Sequence, residues 1–228
     1  MKNVSIALLG CGTVGKGVID LLQMNGQLIS EQLNTAITIK HVLVRDVPKY
    51  EAADLPASIN LTDDFKDIVE DDDVEIIVEV MGSADFAKEC IEEAFRRGKS
   101  VVSANKDVIA DYGIPLLKLA HEHGADFQFE ASVAGGIPIV RPMYSSLNSN
   151  KIEEIIGIMN GTTNFILSSM TDRGLSYEDA LREAQEKGYA EADPANDVGG
   201  FDAARKIAIL AKLGFHAYVT FNDVSVEG

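Results

Sequence analysis

Tryptophan is absent from this chain, cysteine occurs only twice, and Lys plus Arg (20) fall well short of Asp plus Glu (36), for a formal charge of -16. Each shortage excludes something. A net field of that sign repels phosphate backbones and acidic lipids, which argues against nucleic-acid and anionic-membrane partners while leaving room for a local cationic phosphate pocket. The two cysteines, Cys11 in a glycine-rich loop and Cys90 in an expected helix, make no disulfide framework and have no metal-ligand spacing. Long apolar runs are missing as well. Residues 76–80, interrupted by Glu79, are strand-sized, so no segment is expected to cross a bilayer. The opening Met-Lys-Asn leads straight into a strand-like run without a secretory leader, and the expected compartment is the cytoplasm. His121 and His123 are two apart on an expected helix and point in different directions, and His41 and His216 have no ligand partners nearby in sequence.

What is present is a core. With 46% hydrophobic side chains in 228 residues, the chain can bury one large domain or two modest ones. Strand-like runs and helix-period segments alternate through 4–9, 13–33, 37–44, 65–69, 74–80, 84–97, 100–103, 114–123 and 127–130. Such alternation predicts a mostly parallel sheet covered on both faces. After Glu130 the texture changes: Ala-Ser-Val-Ala-Gly-Gly-Ile-Pro begins a second unit, with helices expected at 138–147, 163–171, 177–186 and 201–213 and a strand at 152–159. The expected domains are 1–130 and 131–228. No internal repeat is evident.

Gly10-Cys-Gly12-Thr-Val-Gly15 follows the first strand and opens the first helix, the context that gives a glycine pattern of this kind its meaning. The first glycine allows the tight turn, the second lets backbone approach a pyrophosphate, and the third lets the helix pack close to the sheet. Free N–H groups at the helix start then hold the phosphates. Gly10, Gly12, Thr13, Val14 and Gly15 are therefore candidate dinucleotide contacts, and the fold class is α/β, a Rossmann-type doubly wound parallel sheet followed by a partial α+β domain. At the end of the second strand, an acid would hold a ribose hydroxyl and an arginine would favour a 2′-phosphate. Val44-Arg45-Asp46 offers both. Arg45 comes first, with Lys49 close behind, so the reading leans towards NADP with NAD use left open.

Three further segments carry chemistry: Ser103-Ala-Asn105-Lys106, Asn160-Gly-Thr-Thr-Asn164, and the stretch from Glu191 to Lys206. With a helix starting near Gly200, Asp202 and Lys206 project from one face. Such a pair can be a plain helix salt bridge worth a few tenths of a kcal/mol. The apolar neighbours Ala203, Ala204 and Ile207 suggest instead a largely buried lysine, able to give a proton to a carbonyl oxygen as hydride reaches its carbon.

Taken in order, these motifs, together with Glu-Ala-Ser-Val-Ala-Gly-Gly-Ile-Pro and Glu-Ala-Asp-Pro followed by Asp-Val-x-Gly-x-Asp-Ala-Ala-Arg-Lys, resemble homoserine dehydrogenase over essentially the whole chain. The resemblance implies that Lys206 is the proton donor, Asp202 its partner, and Lys106 a neighbour of nicotinamide and substrate, with Ser103 also on the cofactor. It implies that Glu191 and Asp197 hold the amino acid's charged groups while Gly161 and Thr162 line the same pocket. A monovalent cation, sodium, would sit at Glu130 with backbone oxygens of Val133, Gly135 and Ile137. The implied reaction is the NAD(P)-dependent interconversion of L-aspartate 4-semialdehyde and L-homoserine, a step of threonine, methionine and isoleucine biosynthesis. The implied assembly is a homodimer through the substrate domain.

Members of the family continue well beyond the position of Gly228, so a shortened chain is expected, its dimerisation and turnover both open. Two rivals stand beside the main reading. A semialdehyde-oxidising enzyme would need a thiolate near the nicotinamide, and neither Cys11 nor Cys90 is well placed. A dinucleotide-binding fragment without turnover is the other.

Overall fold

The computed structural model of the protein describes residues 2–51 and 55–228. These divide into two compact units, one ending at Ala131 and the other beginning at Ser132. The first unit runs β1 (Lys2–Leu9), α1 (Thr13–Leu33), β2 (Thr35–Leu43), α2 (Val47–Glu51), β3 (Asn60–Thr62), α3 (Lys66–Val69), β4 (Val74–Glu79), α4 (Ala84–Arg96), β5 (Ser100–Ser103), α5 (Lys106–Glu122), β6 (Phe127–Gln128). The strands form one parallel sheet in the order β3-β2-β1-β4-β5-β6. Consecutive side chains of a strand point to opposite faces, yet Ile6, Ala7, Leu8 and Leu9 are all buried, so both faces are covered at β1. The order runs away from the β1/β4 pair in two directions. Their carboxyl ends therefore flank a crevice, the place where doubly wound sheets bind ligands.

Helix α4 shows how the cover is made. Ala87, Cys90, Ile91, Ala94 and Phe95 recur at helical spacing and are all buried, with Phe95 edge-on to Phe127 at 5.3 Å. Burial of Ile91 and Phe95 contributes roughly 1.5–3 kcal/mol each.

The second unit is helical: α6 (Val140–Ser145), α7 (Gly161–Arg173), α8 (Tyr177–Glu186), α9 (Ala195–Val198) and α10 (Phe201–Phe215). Asn160 caps α7 through the Thr163 N–H and Ser176 caps α8 through the Asp179 N–H. Ile166, Ala180, Ala184 and Ala190 form a small core between α7, α8 and the turn after α8.

Two sequence expectations need correction. The strand expected at 152–159 pairs with no other strand among the described residues; Ile156 and Ile158 are 83% and 81% exposed. A strand is defined by a neighbour, and alternation alone does not supply one. Helix α5 begins at Lys106, not at residue 114, and contains Pro115. An internal proline costs about 3 kcal/mol. The buried row Val108, Ile109, Leu116 and Ala120 against the sheet and α4 offsets it, and the Asn105 side chain caps the new start by accepting from the Val108 N–H. The short elements β3, α2 and α9 were not foreseen, being too brief to show a period.

Opposite the crevice, the sheet is tied by a polar knot. The Asp71 carboxylate accepts from Lys40 Nζ (2.8 Å) and His41 Nε2 (2.7 Å), while the buried Lys99 ammonium donates to the carbonyls of Asp71 (2.6 Å) and Val74 (2.8 Å). Burial alone would raise the Asp71 acid, but the Lys40 and His41 hydrogen bonds together outweigh it and hold the carboxyl well below its ordinary value. A depressed acid stabilises the fold at pH values above its unfolded pKa and loses that contribution as pH falls towards the folded one. Asp71→Asn should therefore cost roughly 1 kcal/mol at neutral pH. Thermal melts from pH 7 downwards should show the gap between variant and wild type closing below pH 3.8, the ordinary carboxyl value; a gap that stays constant would remove this account.

Candidate active site

At the β1/β4 crevice lies a cleft of about 850 Å³. Its floor is Gly10 and Gly12, its β2 wall carries Arg45 and Lys49, and its β4 wall carries Met81 and Phe86. The three glycines differ in what they permit. Gly10 has φ +103°, a conformation that favours glycine. A Cβ on Gly15 would lie 2.3 Å from the Gly10 carbonyl oxygen, so α1 meets the end of β1 at a distance no side chain tolerates. A Cβ on Gly12 would meet nothing within 4 Å. Protein packing therefore does not demand glycine there, whereas close approach by a ligand does. Thr13 and Val14 open α1, beside the N–H groups that a pyrophosphate would use.

On the β2 wall the Arg45 and Asp46 side chains are exposed, and Asp46 Oδ1 accepts from the Lys49 backbone N–H (3.2 Å). The Cys11 thiol, which also lines the cleft, is pushed up by burial, with Lys16 pulling the other way. Cys90 is on the buried face of α4 and its thiol is pushed up to about 12, by burial first and by Glu79 and Glu89 second.

Beneath the cleft is a group the sequence reading passed over. Glu79, at the end of β4, is fully buried and accepts from the Ser103 hydroxyl (2.6 Å), the Met81 N–H (2.7 Å) and the Asn105 amide (3.4 Å). Burial raises this carboxyl and the three donors pull it back. The network ties the loop after β4 to the turn that starts α5, and so fixes where Lys106 emerges. It also spends the Ser103 hydroxyl, leaving only the backbone of Ser103 for a cofactor. A carboxylate inside an apolar run was the signal, since it has to find donors somewhere.

In the second unit α7, α9 and α10 bring four of the expected residues together. Lys206 Nζ donates to Asp202 Oδ2 (2.6 Å) and to the Met159 carbonyl (2.7 Å). Both side chains of the pair are largely buried. The Thr162 hydroxyl has one proton and two acceptors within reach, the Tyr189 carbonyl (2.5 Å) and Asp197 Oδ2 (3.0 Å). Between the two carboxylates stands Asn160, whose amide nitrogen donates to Asp197 Oδ1 (2.7 Å) and Asp202 Oδ2 (2.9 Å). Gly161 is the first residue of α7. Glu191 lies in the exposed turn before α9, where Gln185 donates to its backbone carbonyl, and no hydrogen bond or ion pair among the described residues joins its carboxylate to this cluster. Of the expected cation ligands, Glu130 opens a short 3-10 turn, while Val133, Gly135 and Ile137 lie on the loop that follows, where Ile137 N–H donates to the Ala134 carbonyl. No cluster of three or more His, Cys, Asp or Glu suited to a metal occurs among the described residues, and no helix of theirs is long and apolar enough to cross a membrane.

Comparison with known proteins adds to this geometry. Residues 10–130 match the family model described as homoserine dehydrogenase, NAD binding domain, and residues 138–228 match the model described as homoserine dehydrogenase. A homoserine dehydrogenase of Bacillus subtilis is 48% identical over the whole of this chain, which covers 52% of that protein. A homoserine dehydrogenase crystal structure from Thiobacillus denitrificans superposes with a TM-score of 0.92 at 41% identity, over all of this chain and 52% of that one. A hyperthermophilic archaeal homoserine dehydrogenase solved in complex with NADPH superposes with a TM-score of 0.80 at 28% identity, over 94% of this chain and 70% of that one. The chain thus spans about half the length of the curated relatives it matches.

The glycine geometry separates two substitutions. Gly15→Ala should cost about 3 kcal/mol or more, because backbone rather than a flexible side chain blocks the new methyl. Gly12→Ala should keep stability within about 1 kcal/mol of wild type yet weaken dinucleotide binding at least about tenfold, a loss of 1.4 kcal/mol. Thermal melts with a parallel NADPH fluorescence titration check both; equal affinity in Gly12→Ala would show that the pyrophosphate does not lie against this loop.

Proposed function

The chain belongs to the homoserine dehydrogenase family, and from that premise we propose that it carries out the nicotinamide-dependent interconversion of L-homoserine and L-aspartate 4-semialdehyde, a step of amino-acid biosynthesis. The observation that carries the proposal is the Asp202–Lys206 pair. A buried ammonium held by one carboxylate and one carbonyl has two of its three protons committed, and the third is available to a substrate oxygen. In the reducing direction Lys206 gives a proton to the oxygen of the aldehyde as its carbon accepts hydride. In the oxidising direction it takes the proton from the C4 hydroxyl of homoserine. The bound nicotinamide supplies or accepts the hydride. Asp202 keeps the lysine in place through the cycle. Asp197, Thr162 and Gly161 offer a carboxylate, a hydroxyl and a helix-start N–H, a set that suits the ammonium and carboxylate of an amino acid, and Glu191 is the proposed second anion. Lys106 is the proposed cation on the dinucleotide side.

For the cofactor we favour NADP. Asp46 is engaged with the Lys49 backbone, which leaves Arg45 and the Lys49 ammonium as the cations of the β2 wall for a 2′-phosphate. Asp63 in the same cleft keeps NAD as the second reading. The thiohemiacetal route finds no support, since both thiols are buried and raised, and thiolate is the nucleophile that route requires. A sodium ion would take one carboxylate and several carbonyls. Glu130 and the Val133, Gly135 and Ile137 carbonyls have that chemistry, and the left-handed φ of Ala134 (60°) and Gly135 (56°) turns successive peptide planes. The exposed Ile156 and Ile158 support a homodimer, and two free cysteines support a cytoplasmic setting.

Two measurements test the reading. Lys206→Met should lower homoserine-dependent reduction of NADP by about 100-fold or more with dinucleotide affinity kept, the usual size of a lost general acid-base. Wild-type chain that binds dinucleotide and turns over no homoserine would leave a binding unit in place of an enzyme. Arg45→Ala should weaken NADP by about tenfold and leave NAD nearly unchanged, one charged phosphate contact being worth about 1.5–3 kcal/mol at most. Equal loss for both cofactors would place the 2′-phosphate elsewhere.

A further inference from the structure

Asn160 ends the extended run before α7 and uses every hydrogen-bonding position its amide has. Oδ1 accepts from the Thr163 backbone N–H (2.8 Å) and from the Thr163 hydroxyl (3.0 Å), and Nδ2 donates to Asp197 Oδ1 (2.7 Å) and to Asp202 Oδ2 (2.9 Å). The amide orientation is fixed by chemistry. The Thr163 N–H can only donate and the ionised carboxylates can only accept, so the oxygen faces the helix and the NH2 faces the acids. The residue is 7% exposed, so water has little access to these bonds.

We propose that Asn160 is a positioning residue for the reaction assigned above. Through Asp202 it holds the ammonium of Lys206, and through Asp197 it fixes a carboxylate that faces the substrate's charged groups. The inference rests on that functional reading and adds a residue that touches no reacting atom. Two requirements intersect at this position. A helix start favours Asn, Asp, Ser or Thr, whose oxygen takes an orphan N–H. Two carboxylates drawn to one point need a donor between them, since like charges so close otherwise raise one another's proton affinity. A lysine there would supply protons but also a second cation, competing with Lys206 for Asp202. Among the good capping residues only asparagine adds two N–H donors without charge. The Lys206–Met159 bond completes the arrangement, because Met159 immediately precedes Asn160 and the same stretch of backbone receives the catalytic ammonium.

Substitutions that keep the cap and remove the donors separate positioning from mere folding. Asn160→Ser retains a capping oxygen and one donor; Asn160→Asp retains shape and cap with no donor. Both should bind NADPH within about twofold of wild type, because the dinucleotide cleft lies in the other unit, while kcat with homoserine falls about tenfold in the serine variant and further in the aspartate variant, and KM for homoserine rises. If capping were the whole role, both variants would turn over within about twofold of wild type, and the proposal would be wrong. A second readout does not depend on turnover. In NMR spectra the two side-chain amide protons of Asn160 should exchange with water at least about tenfold more slowly than those of the exposed Asn164, with Asp202→Ala releasing one of them. Exchange as fast as that of Asn164 overturns the bridge whatever the kinetics. Protected protons in a wild-type chain that oxidises no homoserine would sustain the bridge and sink the assigned reaction instead.

Discussion

The contact between the first turn of α1 and the last residue of the β1 turn sets the geometry of the whole first unit. With 2.3 Å between a notional Cβ on Gly15 and the Gly10 carbonyl oxygen, the helix is brought close to the carboxyl end of β1, in the middle of the sheet, by the absence of a side chain. Everything at the crevice follows. The N–H groups of the first turn reach the cleft, Gly12 leaves its floor bare, and the loop after β4 lies alongside, hydrogen-bonded from the Val80 N–H to the Leu9 carbonyl. Glu79 then locks that loop from below, so one wall is set by missing atoms and the other by a buried polar network. Each is costly on its own. A glycine in a helix gives up about 1 kcal/mol of propensity, and a buried carboxylate requires every donor it can find.

The second unit solves a related problem by different means. Its core is rich in alanine around Ile166, with Val140, Met143, Ile209 and Leu210 buried on α6 and α10, and around Lys206 its organisation is polar. Asn160, Thr162, Asp197, Asp202 and Lys206 are joined by hydrogen bonds of 2.6–3.0 Å, and no buried side-chain nitrogen or oxygen among the described residues is left without a partner. Polar networks that are fully satisfied specify one arrangement, because any slippage leaves a buried group unpaired. The proton-carrying role proposed for Lys206 would need that definition more than it needs apolar packing.

What could be read from sequence divides along the same line. The Gly10–Gly15 loop and the Asp202–Lys206 pair were legible because their partners are within one turn of chain, where spacing is geometry. The strand order was foreseen only as a parallel sheet, since alternation gives class but not sequence of neighbours. Glu79 was invisible as a site: its partners Ser103 and Asn105 are 24 and 26 residues away. Asn160 was seen as part of a motif and given no role, its two carboxylates lying 37 and 42 residues further on. The first turns of α5, from Lys106, were missed because burial of Val108, Ile109 and Ala110 is decided by tertiary contact and not by local pattern. The run at 152–159 has the pattern of a strand and lacks the neighbour that would make it one.

Charge distribution links the two units to the chemistry assigned to them. A chain of net charge -16 repels a dinucleotide carrying several phosphates, so affinity depends on positive groups placed within a few ångströms, where screening by salt is weakest. Arg45 and Lys49, which line the cleft together with Gly10 and Gly12, are the cations proposed to meet that need. The amino-acid substrate proposed here would have the opposite requirement. Its ammonium is drawn by the same field that opposes the cofactor, yet general attraction would hold it anywhere on an acidic surface. Orientation has to come from carboxylates that are themselves immobile. Asp197 is tied by Asn160 with the Thr162 hydroxyl alongside, and Asp202 by Asn160 and Lys206, so both carboxylates are held from turning towards solvent. Net charge would thus work against the proposed cofactor and for the proposed substrate, and on the substrate side hydrogen-bonded carboxylates would supply the orientation.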